Sequence, residues 1–323
     1  MPTDRIRANP LAPRPFSRYA TDMTERSPAL RAYAMLAFVM LFWAGNSIVG
    51  RAVRDDIPPF TLAFVRWTGA LIILLPIAWR GLVRDKAALI AGWKSVLALG
   101  LIGVSGFNGL LYWGLHHTTA TNGLLLQAAT PALVLVCNAL FFRDRAGGWQ
   151  VAGVTLSTIG VLLVVTHADL GVLAGFRLGK GDILILGAVL AWSIYTSLLR
   201  IRPAISQASF LFATFLIAAL AMLPLAVWEW HAAPPIHWRP AVIGAFAYVA
   251  ILPSLIAYYL FNSAVEMIGA GRAGQTISLM PLFGAGLAAA LLDEPLHGYH
   301  LAGMALILGG IGMTALLQRR PAP

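Results

Sequence analysis

The chain has 323 residues, of which 59% are hydrophobic and only 11% charged, and a formal net charge of +10. Because about a quarter of the residues of an ordinary globular domain are charged, this composition excludes a water-soluble enzyme, and the length accommodates ten helical membrane spans of about 20 residues each. The single cysteine, Cys137, excludes a disulfide framework, a cysteine-based zinc site and a CxxC redox pair.

The N-terminal residues 1–31 contain five prolines, several arginines and few large apolar side chains, which predicts a disordered cytoplasmic tail. The first apolar stretch begins at Ala32, too far along the chain and too long for a signal peptide, so we predict an uncleaved span. Nine further apolar runs follow it. The predicted spans are residues 32–50, 60–79, 95–115, 119–142, 149–166, 182–199, 207–228, 240–265, 271–292 and 299–317.

The distribution of Lys and Arg outside these spans predicts the orientation. With a cytoplasmic N-terminus, seventeen of them lie in inner segments and five in outer segments. Cytoplasmic loops carry such an excess of positive charge, so with an even number of spans we expect both termini in the cytoplasm. Because the basic residues lie in short connections between apolar runs, the net charge indicates topology and no nucleic-acid partner.

The two halves of the chain resemble each other at an offset of about 150 residues. Residues 41–47 (LFWAGNS) match residues 190–196 (LAWSIYT), and Pro131 matches Pro281. Since each half contains five spans, an odd number, the second copy must enter the membrane from the opposite side, which predicts an all-α integral membrane fold of two inverted five-helix repeats. The predicted organisation is a tail at 1–31, a first repeat at 32–166, a linker at 167–181, a second repeat at 182–317 and a short cytoplasmic tail at 318–323.

Several motifs resemble a known family. The turn and helix start at residues 58–66 (PPFTLAFVR), and the loop at 293–296 (DEPL) that runs into 300–303 (HLAG), are similar to those of EamA-type transporters of the drug/metabolite transporter superfamily. The resemblance covers residues 32–317. It implies a ten-span carrier of the cell inner membrane, and many members of these families export amino acids and related metabolites.

Polar and aromatic side chains recur at corresponding mid-span positions of the two halves. Residues three or four apart share a helix face, and polar groups inside a membrane should face the bundle interior or a wet cavity. We therefore predict that four helices line one substrate cavity, although hydrogen bonds between helices or anchoring at the membrane interface would also explain such residues. The predicted substrate-binding residues are Trp43 and Asn46 in the first span, Asn108 and Tyr112 in the third, Trp192 and Tyr195 in the sixth, and Tyr258 and Asn262 in the eighth.

The fourth and ninth spans each carry a central proline, Pro131 and Pro281. Proline lacks a backbone donor and clashes with the carbonyl four residues before it, so each is a predicted helix break. Interruptions at matching positions of two repeats point to a binding site near the middle of the membrane, although a passive kink is the alternative. The polar residues beside these breaks, Gln127, Thr130, Gln275 and Ser278, complete the predicted substrate-binding set.

Arg66 is the one ionisable side chain that lies well inside a predicted span. It follows Phe60 by six residues, a depth of about 9 Å. Its guanidinium either extends back to the outer interface or projects into an outer vestibule, where it would suit a carboxylate or phosphate. Without a carboxylate or histidine at mid-membrane to relay protons, we predict facilitated diffusion, substrate exchange or coupling through a peripheral group.

These observations predict a transporter that moves a small metabolite out of the cell by alternating access through a central cavity. The resemblance implies an amino acid or a related compound as substrate. A broad-specificity exporter of amphiphilic drugs is the alternative, and a membrane-embedded lipid-modifying enzyme is a remote one. We expect no enzymatic activity, cofactor or metal; the lipid bilayer is the expected environment, and a homo-oligomer is left open.

Overall fold

The computed structural model describes residues 21–118, 123, 126–169, 171, 178–232, 235–292 and 297–317, and these residues form helices, turns and loops with no strand. The other residues, which include much of the predicted tail and linker and the loop at 293–296, lie outside this description. The helices are α1 (Thr21–Ala52), α2 (Pro59–Ala91), α3 (Trp93–His117), α4 (Thr130–Phe142), α5 (Gly148–Val165), α6 (Lys180–Leu198), α7 (Gln207–Ala232), α8 (Pro240–Ile268), α9 (residues 270–292) and α10 (Gly298–Leu317).

Eight of these helices are long and apolar enough to cross a membrane. The other two, α4 and α9, fall within the fourth and ninth predicted spans. The first helix begins at Thr21, inside the range that the sequence analysis assigned to the tail. The composition and the helices together establish a multi-pass helical membrane protein.

Both predicted proline breaks lie where a helix restarts. Pro131 is in the first turn of α4. Pro281 is the second residue of the helical segment Met280–Leu292, which follows a 3₁₀ segment, Thr276–Leu279, inside α9. The first turn of a helix tolerates proline because its backbone donors have no partner within the helix.

Two wider turns interrupt helices that the sequence analysis treated as continuous. Segments of π-helix occupy Gly100–Gly106 in α3 and Ile251–Ile256 in α8, at matching positions of the two halves. Pro253 cannot donate a hydrogen bond to the carbonyl of Val249, and the hydroxyl of Ser254 donates to that carbonyl instead, over 2.6 Å. The wider turn therefore presents Pro253 and Ser254 in a geometry that a regular helix lacks.

The main helix contacts relate the two halves. Helix α1 packs on α8, α2 on α7, α3 on α6 and α5 on α10. If each helix is replaced by its equivalent in the other half, five helices earlier or later in the chain, the same set of contacts results.

Helices α2 and α7 run antiparallel and cap each other. Glu229, near the end of α7, accepts hydrogen bonds from the backbone of Phe60 (2.9 Å) and Thr61 (2.6 Å) at the start of α2. At the other end, Asp85 of α2 accepts a 2.8 Å bond from the backbone of Ser206, just before α7. Each acid satisfies backbone donors that a helix start leaves unpaired.

Helices α5 and α10 cross through four glycines. A Cβ on Gly153 would lie 2.6 Å from the carbonyl oxygen of Gly310, and a Cβ on Gly160 would lie 2.8 Å from that of Gly303. Glycine permits this close backbone approach. Because Gly153 matches Gly303 and Gly160 matches Gly310 at an offset of 150, the two contacts are equivalent in the two repeats.

Candidate functional site

An aromatic cluster lies where the central helices meet. The rings of Trp43 and Trp192, which match each other in the two halves, pack edge to face with centroids 4.9 Å apart. Tyr258 packs against both, at 6.0 and 5.6 Å, and Phe107 lies 5.0 Å from Trp192. These rings surround a small cavity with room for about one water molecule, about 20 Å³. Seven of the predicted substrate-binding residues line it: Trp43, Asn46, Asn108, Gln127, Thr130, Trp192 and Tyr258.

Arg66 also lines this cavity, a position that differs from both alternatives of the sequence analysis, the outer interface and an outer vestibule. The side chain is 1% exposed. Its Nε donates to the hydroxyl of Ser254 over 2.5 Å, and its Nη2 donates to the carbonyl of Pro253 over 3.0 Å. The indole of Trp43 donates to the same carbonyl, also over 3.0 Å. The π-helical turn in the middle of α8 thus supplies two acceptors and draws Arg66 inward.

The other terminal nitrogen of Arg66 binds side chains of α1 and α3. Its Nη1 donates to Asn108 Oδ1 and Tyr112 Oη, each over 2.8 Å, and to Asn46 Oδ1 over 3.3 Å. The guanidinium also lies 4.7 Å from the ring centroid of Trp67. No Asp or Glu of the described residues pairs with it. Arg66 is therefore a buried cation whose protein partners are all neutral.

Two tyrosine–asparagine pairs lie on opposite sides of the aromatic cluster. Tyr112 of α3 donates to Asn46 of α1 over 2.9 Å, and Tyr195 of α6 donates to Asn262 of α8 over 2.9 Å. In the second half, Tyr195 stands at the position equivalent to Asn46, and Asn262 stands at the position equivalent to Tyr112. The same two positions are therefore hydrogen-bonded in both halves, but the tyrosine and the asparagine have exchanged places. Arg66 joins the first pair, whereas its counterpart in α7, Thr214, donates to the carbonyls of Phe210 and Leu211 in its own helix.

A basic vestibule opens at one end of the bundle, with a volume of about 490 Å³. It is lined by Arg145, Arg200 and Arg272, with Asp144 as the one acid among its lining residues. Arg200 forms an ion pair with Asp144. Tyr195 lies on α6 and precedes Arg200, in the 3₁₀ turn that follows this helix, by five residues, so the Tyr195–Asn262 pair lies between this vestibule and the central cavity.

An acidic vestibule of about 390 Å³ opens at the opposite end. Its charged lining residues are Asp55, Asp56, Glu229 and Arg54. Asp56 also forms an ion pair with Arg239, which does not line this vestibule. Three acids against one arginine give this vestibule the opposite charge balance to the basic one.

The position of α6 shows that the two vestibules lie at opposite ends. Helix α6 begins close to His117, which lines the acidic vestibule, and ends beside Arg200 of the basic one. Tyr112 precedes His117 by five residues on α3. The Tyr112–Asn46 pair therefore lies between the acidic vestibule and the central cavity.

Five predicted binding residues do not line the central cavity: Tyr112, Tyr195 and Asn262 belong to the tyrosine–asparagine pairs beside it, and Gln275 and Ser278 lie elsewhere. Gln275 is buried against α5, where its amide donates to Ser157 over 3.2 Å, so it links helices. Ser278 lines a neighbouring void of about 10 Å³ that Gln127 and Pro281 also border. Its hydroxyl has no hydrogen-bond partner among the described residues.

Sequence reasoning missed Pro253, Ser254 and Phe107. Pro253 lies in the middle of the eighth predicted span, and a mid-span proline is the same signal that identified Pro131 and Pro281. Ser254 follows it directly. Phe107 carries no such signal, because an isolated phenylalanine in an apolar helix does not differ from a lipid-facing one.

These features define a multi-pass helical membrane protein with an internal duplication and a polar, aromatic central cavity. The sequence matches the EamA-like transporter family twice, over residues 30–166 and 179–316. The chain belongs to this family and is a membrane transporter.

Similar proteins agree with this assignment. The chain is 27% identical over 302 residues to an uncharacterized transporter of Bacillus subtilis, YetK, covering 90% of this chain and 88% of that protein. It is 26% identical over 295 residues to an uncharacterized transporter of Archaeoglobus fulgidus, covering 90% of this chain and 99% of the relative. A solved structure titled "Crystal structure of protein" superposes on this chain with a TM-score of 0.69 at 20% identity, covering 90% of this chain and 97% of the other. This similarity shows the fold alone.

Proposed function

We propose that this protein exports a small metabolite, an amino acid or a related compound, by alternating access through the central cavity. The observation that carries the proposal is the closed polar and aromatic cavity between two vestibules at opposite ends of the bundle. A carrier requires a site that opens to one side at a time. The proposed substrate-binding residues are those that line the cavity, together with the two tyrosine–asparagine pairs.

The proposed architecture is ten spans in two inverted repeats. Two antiparallel pairings of equivalent helices support it, α2 with α7 and α5 with α10. The antiparallel contact of α3 with α6, where Thr118 at the end of α3 bonds to Asp182 at the start of α6 over 2.5 Å, has its counterpart in the contact of α8 with α1. Helices that are equivalent in two repeats run in opposite directions only if one repeat is inverted in the membrane. In this proposal α4 and the interrupted α9 complete the fourth and ninth spans.

The two tyrosine–asparagine pairs are the proposed gates. Each is a single hydrogen bond between helices at equivalent positions, one on either side of the cavity. Breaking one pair while keeping the other would open the cavity to one vestibule only. Each gate joins two helices of the same repeat, so it opens by a movement of helices within that repeat.

The proposed location is the cell inner membrane, with both termini and the basic vestibule on the cytoplasmic side. The excess of Lys and Arg in the corresponding loops supports this orientation. Export then moves the substrate from the basic to the acidic vestibule.

Purified protein reconstituted into liposomes tests the function. A panel of amino acids, organic anions and amphiphilic dyes is screened for flux into the liposomes and for mutual competition. We expect saturable flux of a small metabolite that is lost in Trp192→Ala and retained in Trp79→Ala, because Trp192 lines the cavity and Trp79 is 61% exposed. Flux of dyes alone would favour the drug exporter. Chemical conversion of the liposome lipids without flux would favour the enzyme.

A further inference from the structure

The central cavity holds a positive charge that no acid of the described residues neutralises. Burying a cation with only neutral partners is costly in a membrane, and such residues usually mark a ligand or ion path. The five hydrogen bonds of Arg66 satisfy donors, but they leave the charge uncompensated. A bound anion would compensate it.

A second donor in the same cavity has no acceptor. Trp192 is 3% exposed and lines the cavity, and its indole nitrogen has no hydrogen-bond partner among the described residues. An indole N–H can only donate. The cavity thus offers two donor groups, a guanidinium and an indole N–H, to a ligand that accepts hydrogen bonds.

The cavity offers little to an ammonium group. None of its described lining residues is Asp or Glu. The side-chain carbonyls of Asn46 and Asn108 already accept hydrogen bonds from Arg66. A zwitterionic amino acid would therefore have a strong partner for its carboxylate and none of comparable strength for its ammonium.

The different charges of the two vestibules favour the export of an anion. The basic vestibule presents three arginines and one acid, and the acidic vestibule presents three acids and one arginine. A basic mouth raises the local concentration of anions, and an acidic mouth lowers it. An anion would be attracted at the loading end, and less so at the release end, where Asp55 and Asp56 pair with Arg54 and Arg239.

We propose that the substrate is an organic carboxylate with an apolar body and no ammonium group beside the carboxylate. The carboxylate binds Arg66 and the indole N–H of Trp192, and the apolar body packs among the rings of Trp43, Tyr258 and Phe107 once the cavity, which is only about 20 Å³ in this structure, has widened on opening. A planar guanidinium favours carboxylate oxygens. This proposal rests on the carrier function proposed above, and of the two substrate classes named there it favours a compound related to amino acids over an amino acid itself.

Matched ligands test the charge preference without any mutation. Two sets are titrated into the purified protein by calorimetry at neutral pH: 3-phenylpropanoic acid, its amide and L-phenylalanine, and 4-methylpentanoic acid, its amide and L-leucine. Within a set the apolar body is constant, so differences report the head group. We expect at least one acid to bind at least about tenfold more tightly than its amide, as for a charge-assisted hydrogen bond, and more tightly than the matching amino acid.

Two variants test whether Arg66 is the residue that makes the cavity prefer the acid over the amide. Arg66→Gln should reduce the acid-over-amide ratio to about one, and Arg66→Lys should retain part of it, since Lys keeps the charge but lacks the planar fork. Arg80→Gln is the control, because it removes the same charge from an exposed position of the same helix. If Arg66→Gln does not fold, the comparison of acid, amide and amino acid in the unmodified protein decides.

Three outcomes would overturn the proposal: equal binding of acid and amide, tighter binding of the amino acid than of the acid, or no binding of any of the six compounds. In each case saturable flux of another metabolite in liposomes would leave the carrier function intact. If the proposed carrier function itself is wrong, no compound will show flux into the liposomes. That result can be told apart from the three outcomes above.

Discussion

The hydrogen bond between Tyr195 and Asn262 should hold the cavity closed towards the basic vestibule, and Tyr195→Phe removes it. The bond is 2.9 Å long and both residues are buried. The Nδ2 of Asn262 already lacks a partner among the described residues, so the substitution leaves the whole amide unpaired. An unsatisfied buried polar group costs about 1–3 kcal/mol. Because 1.4 kcal/mol is a factor of ten, we expect the open state on this side to gain about 5- to 150-fold in population.

A cysteine at Thr130 would report this opening. Thr130 lines the central cavity and is 2% exposed, and Cys137, the only native cysteine, is replaced by serine first. A membrane-impermeant maleimide is added to vesicles of either orientation. Tyr195→Phe should accelerate labelling of the reporter from the side of the basic vestibule, while labelling from the other side should stay constant or fall.

Two further variants make the result interpretable. Tyr259→Phe removes a hydroxyl from a residue that is 48% exposed and should change nothing. Tyr112→Phe should favour opening on the acidic side, but less strongly, because Asn46 still accepts a hydrogen bond from Arg66. Unchanged labelling in Tyr195→Phe would refute the gate. Equal acceleration from both sides would indicate loosening of the whole bundle instead.

Three other substitutions test the packing around the site. Gly310→Leu should destabilise the protein, lowering its melting temperature by several degrees, because the added side chain meets the backbone of α5, whereas Gly312→Leu, with nothing within 4 Å, should not. Glu229→Gln should cost about 1–2 kcal/mol in thermal unfolding, since the charged cap of α2 is lost. Ser254→Ala should reduce transport of the substrate by about tenfold without loss of insertion, because it removes a bond that orients Arg66.

The cavity could be predicted because the chain is duplicated. A single asparagine or tryptophan in an apolar helix is uninformative, but Trp43 and Trp192 recur at one position of two repeats. Equivalent positions of two inverted repeats are expected to come together near their common axis, and the rings of these two residues do pack against each other. Asn108 and Tyr258 also occupy equivalent positions of the two halves, and the structure joins them with a 3.2 Å hydrogen bond.

The depth of Arg66 could not be predicted from its distance along α2. Helix position alone allowed the side chain to turn outward, and the acceptors that hold it inward belong to Pro253 and Ser254, almost 190 residues later. Hydrophobic periodicity does not distinguish a π-helical turn from a regular one. Gln275 was predicted to bind substrate, but it lies against α5 and does not line the cavity. The reason is related, since its hydrogen-bond partner Ser157 lies on a helix that the sequence analysis had not connected with the cavity.

Arg66 also makes the two proposed gates unequal. The Tyr112–Asn46 pair, towards the acidic vestibule, is reinforced by the guanidinium, whereas the Tyr195–Asn262 pair has no such support. The empty carrier should therefore open more readily towards the basic vestibule. A carboxylate bound to Arg66 would compete with Tyr112 and Asn46 for the same donors and weaken the closure on the acidic side. A ligand shifts a conformational equilibrium only through different affinity for the two states, and this competition supplies such a difference, so one residue would both select an anion and bias the loaded carrier towards release.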